Sequence, residues 1–152
     1  IRRYPDLQIH RIIKENLNGQ LEKERIRHYN KILTEVAYKS SLTERRADDA
    51  EREVDKMKKT EYMTQFIGEE FEGIVSGVTN WGIYVELPNT VEGMVRVEDI
   101  EDDYYYFDEE RFLLIGERTG KTFGLGQKLK VLLVATDKLQ RTIDFHIVDE
   151  LD

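Results

Sequence analysis

Cysteine is absent from the 152 residues. This excludes a disulfide framework and a thiolate metal site, and it points to a reducing, intracellular setting. Histidine occurs only at His10, His28 and His146, too scattered to suggest a zinc site. No stretch approaches the roughly 20 apolar residues that a bilayer requires, and the first residues lack the basic, apolar, small-residue order of a signal peptide. A soluble, cytoplasmic protein with no membrane partner is expected. The length suits one ordinary domain or a small domain with a helical extension, and it excludes a large multidomain arrangement. Ile1 stands where a start would have methionine, and Ile1-Arg-Arg-Tyr-Pro-Asp6 reads as the middle of something, so a fragment is expected.

Positive charge is also scarce, the net being −8. That average hides two halves. Residues 1–67 hold 15 Lys and Arg against 12 Asp and Glu, and residues 68–152 hold 8 against 19, giving +3 and −11. Phosphate contacts need Lys and Arg. Nucleic-acid binding by the second half would therefore rest on a local face of stacking aromatics and a few cations.

What is present divides at Gly68. Before it, apolar residues recur at helical spacing. Leu7, Ile9, Ile12, Ile13 and Leu17 follow Pro5 and end at Asn18-Gly19, which predicts one helix. Leu21, Ile26, Tyr29, Leu33, Val36 and Ala37 predict a second over about 20–40. Ser41 and Glu44 form a candidate capping box that opens a third, with Ala47, Ala50, Val54 and Met57 on its apolar face. After Gly68 the period shortens and β-branched residues take over. Strands are expected at 69–78, 81–87, 91–97, 128–137 and 142–147, with a structured excursion over 98–127 that is acidic and aromatic, then glycine-rich. The fold class is α+β: a helical segment of three helices, 1–67, followed by a five-stranded antiparallel β-barrel, 68–152, carrying the insert 98–127.

The run Gly73-Ile-Val-Ser-Gly-Val-Thr-Asn-Trp-Gly-Ile-Tyr-Val-Glu-Leu87, followed by Val91-Glu-Gly-Met-Val-Arg-Val97, resembles the opening of the S1 domain, an OB-fold RNA-binding family. Trp81 and Tyr84 lie near one end of a curved sheet, where such rings can stack on splayed bases. Taken singly, each is as readily a core filler. The resemblance implies aromatics at these two positions and a donor on strand three, where the family's histidine is replaced by Arg96. It places Lys138 and Arg141 in the last turn to meet phosphates, with Lys128 and Lys130 as weaker candidates. The insert's carboxylates have no calcium-loop spacing, so a solvated loop or docking surface is the better reading and no metal site is expected.

Upstream, Ile1-Arg-Arg-Tyr-Pro-Asp6 and Ala47-Asp-Asp-Ala-Glu-Arg-Glu-Val54 are, on their own, a charged entry and a charged helix face. In this order before an S1 domain they resemble the end of the catalytic domain of the ribonuclease II and ribonuclease R (RNB) exoribonuclease family. The insert, with Asp-Asp-Tyr-Tyr, Phe-Asp-Glu-Glu-Arg and Gly-Glu-Arg-Thr-Gly, is similar to the ribonuclease R branch. The resemblance implies a 3′-to-5′ exoribonuclease that releases nucleoside monophosphates, with the S1 domain guiding single-stranded RNA to the catalytic channel. On it, Arg2 corresponds to an arginine holding phosphate near the scissile end and Glu51 to a carboxylate on the terminal sugar, with Arg3, Tyr4 and Asp6 in support.

The family's magnesium-binding aspartates lie in an upstream motif that is absent here. Asp48 and Asp49, about 100° apart on a helix, cannot converge on one ion. The fragment is expected to be inactive alone, with no cofactor of its own and Mg2+ only in the parent enzyme. Its apolar helix faces, including Ile9, Ile13, Leu33 and Val54, are then left exposed, disordered or buried against a neighbouring molecule. The alternatives are a non-catalytic S1-domain translation or ribosome-associated RNA-binding protein, and a protein-interaction module that never meets RNA.

Overall fold

A computed structural model describes residues 3–151. The chain divides into two compact units, Ile1–Glu53 and Val54–Asp152.

The first unit is helical. Helix α1, Tyr4–Leu17, has Pro5 in its first turn, where the missing N–H costs no hydrogen bond. Gly19, at φ 67°, takes the left-handed turn that follows. Helix α2, Lys23–Met63, then runs unbroken for 41 residues, about 60 Å at the α-helical rise, and its last turns belong to the second unit. Among the described residues two α-helices thus stand where three were expected. The segment 23–63 contains neither glycine nor proline, so nothing compels a break. The expected capping box at Ser41 does not form. The Thr43 hydroxyl donates back to the carbonyls of Lys39 and Ser40 at 3.0 and 3.1 Å, and Glu44 pairs with Arg3 at 2.8 Å. Both residues are absorbed into a helix interior. Within this unit Tyr29 is buried, and its hydroxyl donates to Glu15 at 2.8 Å while Arg25 grips the same carboxylate at 2.8 and 2.9 Å. The pair of bonds from Arg25, then that from Tyr29, hold Glu15 down to about 2.

The second unit is a closed barrel of β1 (Glu70–Thr79), β2 (Gly82–Glu86), β3 (Glu92–Arg96), β7 (Lys128–Asp137) and β8 (Thr142–Leu151), ordered β1-β2-β3-β8-β7. The expected antiparallel barrel needs one correction: β3 and β8 pair in parallel, Met94 against Asp144, whereas the other seams are antiparallel. A ring with an odd number of strands cannot alternate direction all the way round, so one seam must be parallel.

The excursion is ordered. It holds β4 (Tyr105–Asp108), β5 (Leu113–Gly116) and β6 (Thr122–Gly124) as a separate three-stranded sheet. One core serves barrel and insert together. Ile83, Val85, Val95, Leu129, Val131, Leu133 and Phe145 project inward from the barrel, Leu114 and Phe123 from the insert, and Met63 from the end of α2, all fully buried. The period-two alternation of these residues along each strand places their neighbours on the outer face.

Candidate nucleic-acid interface

The outer face of the barrel is built from the residues between those core positions. A row crosses four strands: Gly77 on β1 faces Tyr84 on β2, Tyr84 faces Met94 on β3, and Met94 faces Asp144 on β8. Gly77 leaves room there, since a β-carbon at that position would stand 3.3 Å from the Tyr84 ring and push it outward by a few tenths of an ångström. The register shift between Val75 and Gly77 sets this residue under the ring, the usual effect of a bulge. Tyr84 is half-buried, with one ring face over the glycine.

One row further along, Gly82 faces Arg96. Gly82, at φ 148°, brings its backbone so close to β3 that a β-carbon would collide with the Val95 carbonyl oxygen. Trp81 precedes it in the turn. Its carbonyl accepts from Val97 N–H at 2.9 Å, its own N–H donates to the Thr79 hydroxyl at 3.3 Å, and its side chain is 71% exposed. A pinned backbone carrying an unburied indole is a platform, not a core filler. Arg96 is exposed and loosely held, 3.7 Å from Asp144 and 3.9 Å from Glu98, separations that leave the guanidinium able to turn to a phosphate.

Trp81, Tyr84 and Arg96 therefore share one end of the face. Lys138 and Arg141 lie in the β7–β8 turn, beyond Thr142, on the far side of the Tyr84 row. Arg141 adopts a left-handed φ of 59°, and Lys138 stands 3.7 Å from Glu61. At the strand rise, Trp81 and Arg141 are separated by about 20 Å, a span that fits the roughly four or more nucleotides an OB fold contacts. Lys128 and Lys130 are at the opposite end of β7, and Lys130 is taken by Glu70 at 2.6 Å.

Sequence reasoning passed over Met94, Asp144 and His146, the last 3.8 Å from Asp99. Their signal was the alternation with Val95, Ile143 and Phe145, readable once the pleat is known. Asp137, also passed over, accepts from the N–H groups of Leu139 and Gln140 at 2.8 and 2.9 Å, and so shapes the turn that presents the two cations.

In the helical unit, Glu51 is exposed and lines an open crevice of about 520 Å3 with Arg3, Tyr4, Thr43, Glu44 and Asp48. Residues 3–5 and 44–51 of the two strings thus meet in space. Arg2 lies outside the described residues. Among the described residues no three His, Asp or Glu side chains come together to hold a metal ion, and the Asp48-Asp49 pair gains no third ligand. The donor set does not fit magnesium. Nor, among the described residues, is any helix long and apolar enough to cross a membrane.

Comparison with known proteins bears on both units. The model of the S1 RNA binding domain matches residues 64–147. Ribonuclease R 1 of Lactococcus lactis is 46% identical over 100% of this chain and 19% of its own length. Ribonuclease R of Thermotoga maritima is 45% identical over 99% of this chain and 21% of its own. Mycoplasma genitalium RNase R, in its apo form and in complex with ribose methylated single-stranded RNA, superposes with a TM-score of 0.91 at 28% identity, covering 97% of this chain and 23% of that one. The chain spans about a fifth of the length of these relatives. With a matching domain model over more than half its residues, and a face built as described, the chain belongs to the S1 RNA binding domain family, set within sequence similar to ribonuclease R from end to end.

Proposed function

We propose that this chain is the RNA-guiding part of a ribonuclease R-type 3′-to-5′ exoribonuclease, comprising the end of the catalytic domain, 1–67, and an S1 domain of OB fold, 68–152, in a cytoplasmic enzyme. The observation that carries this reading is the exposed indole of Trp81 in the turn next to Gly82, which faces Arg96 at the end of the outer face that carries Tyr84. Bases of a single strand stack on the two rings, Arg96 takes a phosphate, and Lys138 and Arg141 receive the strand at the other end of the face. The single-stranded RNA bound by the Mycoplasma relative supports the choice of ligand. Similarity to ribonuclease R along the helical unit as well as the barrel favours this reading over a free-standing S1 translation factor.

Arg2 and Glu51 serve the parent's catalytic channel, holding phosphate and the terminal ribose. Magnesium supplies the hydrolytic chemistry there and is held by residues of the parent outside these 152. The exposed apolar side chains of α1, Ile9, Ile13 and Leu17, at four-residue spacing, support packing of this unit against the rest of that catalytic domain. Val54 is likewise exposed, and Leu33 half-buried.

The test is a titration of fluorescent single-stranded RNA with this chain and with a Trp81→Ala, Tyr84→Ala variant. Each lost stack removes about 1–3 kcal/mol, so the double variant binds at least about 30-fold more weakly. Binding by the variant equal to that of the unmodified chain would remove RNA from this face. Incubation of the chain with RNA and Mg2+ yields no nucleoside monophosphates, and their release would overturn the assignment of the metal site to the parent.

A further inference from the structure

The insert sheet has two faces with different chemistry. Its inner face is sealed: Leu114 and Phe123 are fully buried in the common core, with Tyr105 and Phe107 packed beside them. Its outer face is unpartnered. Tyr104 is 84% and Tyr106 53% exposed, and Tyr106 lies in register with Ile115 on the middle strand. Two phenol rings beside an aliphatic residue make a flat, partly apolar platform on a rigid mount.

Its mount is fixed by the base of the insert. Asp103 accepts from Thr119 N–H and hydroxyl at 2.6 and 2.7 Å and from Arg118 N–H at 3.0 Å. Lys121 joins Asp102 to Glu150 on β8 at 3.1 and 2.6 Å.

The charge around that platform has one sign. Residues 98–127 carry nine Asp and Glu against three Lys and Arg. The three cations are engaged by the insert itself or β8: Arg111 with Asp108, Arg118 with the Asp102 carbonyl, Lys121 as above. Glu109 and Glu110 stand at the tip of the β4–β5 hairpin and Glu117 beside Tyr104, whose carbonyl accepts the Glu117 N–H at 2.8 Å. None of these three glutamates has an ion-pair partner among the described residues. A polyphosphate is repelled from such a field, while a cationic chain is drawn in and can lay its guanidinium groups on the tyrosine rings.

We propose that the outer face of the insert sheet, centred on Tyr104 and Tyr106, docks an arginine- and lysine-rich polypeptide segment. The same domain then holds RNA on the barrel face and a basic protein segment on the insert face. This inference does not depend on the barrel binding RNA.

The test uses the full chain and a fluorescent arginine-serine repeat peptide, with a glutamate-serine repeat as control. The arginine peptide binds and the glutamate peptide does not. Tyr104→Ala, Tyr106→Ala and, separately, Glu109→Lys, Glu110→Lys each weaken binding about tenfold or more, with RNA affinity undiminished. Glu22→Lys, Glu24→Lys, the same charge change on the helical unit, leaves peptide binding unchanged; an equal loss there would reduce the effect to net charge and overturn the proposal. So would peptide binding unaffected by both insert variants, absence of peptide binding, loss of RNA binding in the tyrosine variant, or a self-association of the chain that the tyrosine variant abolishes.

Discussion

Gly82 and Asp103 show how single residues set the two outer faces of the barrel unit. At Gly82 the constraint is steric: no other residue has both access to φ 148° and room against the Val95 carbonyl. Gly82→Ala is expected to destabilise the unit by about 3 kcal/mol or more, whereas Gly68→Ala, strained at φ 92° but facing open space, costs about 1 kcal/mol. Urea unfolding followed by far-ultraviolet circular dichroism separates the two. At Asp103 the constraint is electrostatic. Hydrogen bonds from the Thr119 hydroxyl, then from backbone N–H groups, lower its carboxyl from 3.8 to about 2. Because the folded value is depressed, the stabilisation is present above the ordinary value near 4 and is lost as pH falls toward about 2. An amide-shift titration of Thr119 and its neighbours should show a transition centred near 2, and Asp103→Asn should abolish it. A transition near 4 in the unmodified chain would contradict the bonded geometry.

Among the elements, the last turns of α2 are the ones whose membership matters. Met63 is fully buried in the barrel core, Lys59 donates to the Thr90 carbonyl, and Thr64 meets Thr136 at 3.0 Å between hydroxyl oxygens. A chain beginning at residue 68 would lose all three contacts. It should unfold at lower temperature than one beginning at residue 54, and Met63→Ala should cost about 2–5 kcal/mol in the full chain. Equal melting of the two truncations would show that α2 contributes nothing to the barrel.

The barrel strands were legible because inward Ile83, Val85, Leu129, Val131 and Leu133 alternate with outward residues between glycine-rich turns. Trp81, Tyr84 and Arg96 could be picked out by resemblance; alternation puts Tyr84 and Arg96 on one face, whereas Trp81, three residues from Tyr84, stands in the turn before β2 and no period places it. The continuity of α2 was not legible, since Ser41-x-x-Glu44 is a local signal that cannot report that Arg3 has claimed the Glu44 carboxylate. Strands as short as β4, β5 and β6, of three or four residues, lie at or below the shortest run in which a period can be read. The parallel seam is a property of ring closure and leaves no local pattern at all.

At the scale of the whole molecule, the excess of acid in residues 68–152 shapes how RNA can be held. A single strand releases about 0.7 counterion per phosphate neutralised. With Arg96, Lys138 and Arg141 as the phosphate ligands, the titration proposed above should show log affinity falling with log salt at a slope of about −2. That slope is shallow because only three phosphates are neutralised, and the Trp81→Ala, Tyr84→Ala variant should lose affinity while keeping it. The parallel seam adds a kinetic consequence. Met94 and Asp144 are joined only after the intervening insert and β7 have been laid down, which makes β3–β8 a contact of long sequence separation and a slow step in forming the barrel. On the proposed function, a strand of RNA lying across Tyr84, Met94 and Asp144 would bridge that seam from outside. It would bind the closed ring and not the open one, and so would shift the balance toward closure and slow reopening.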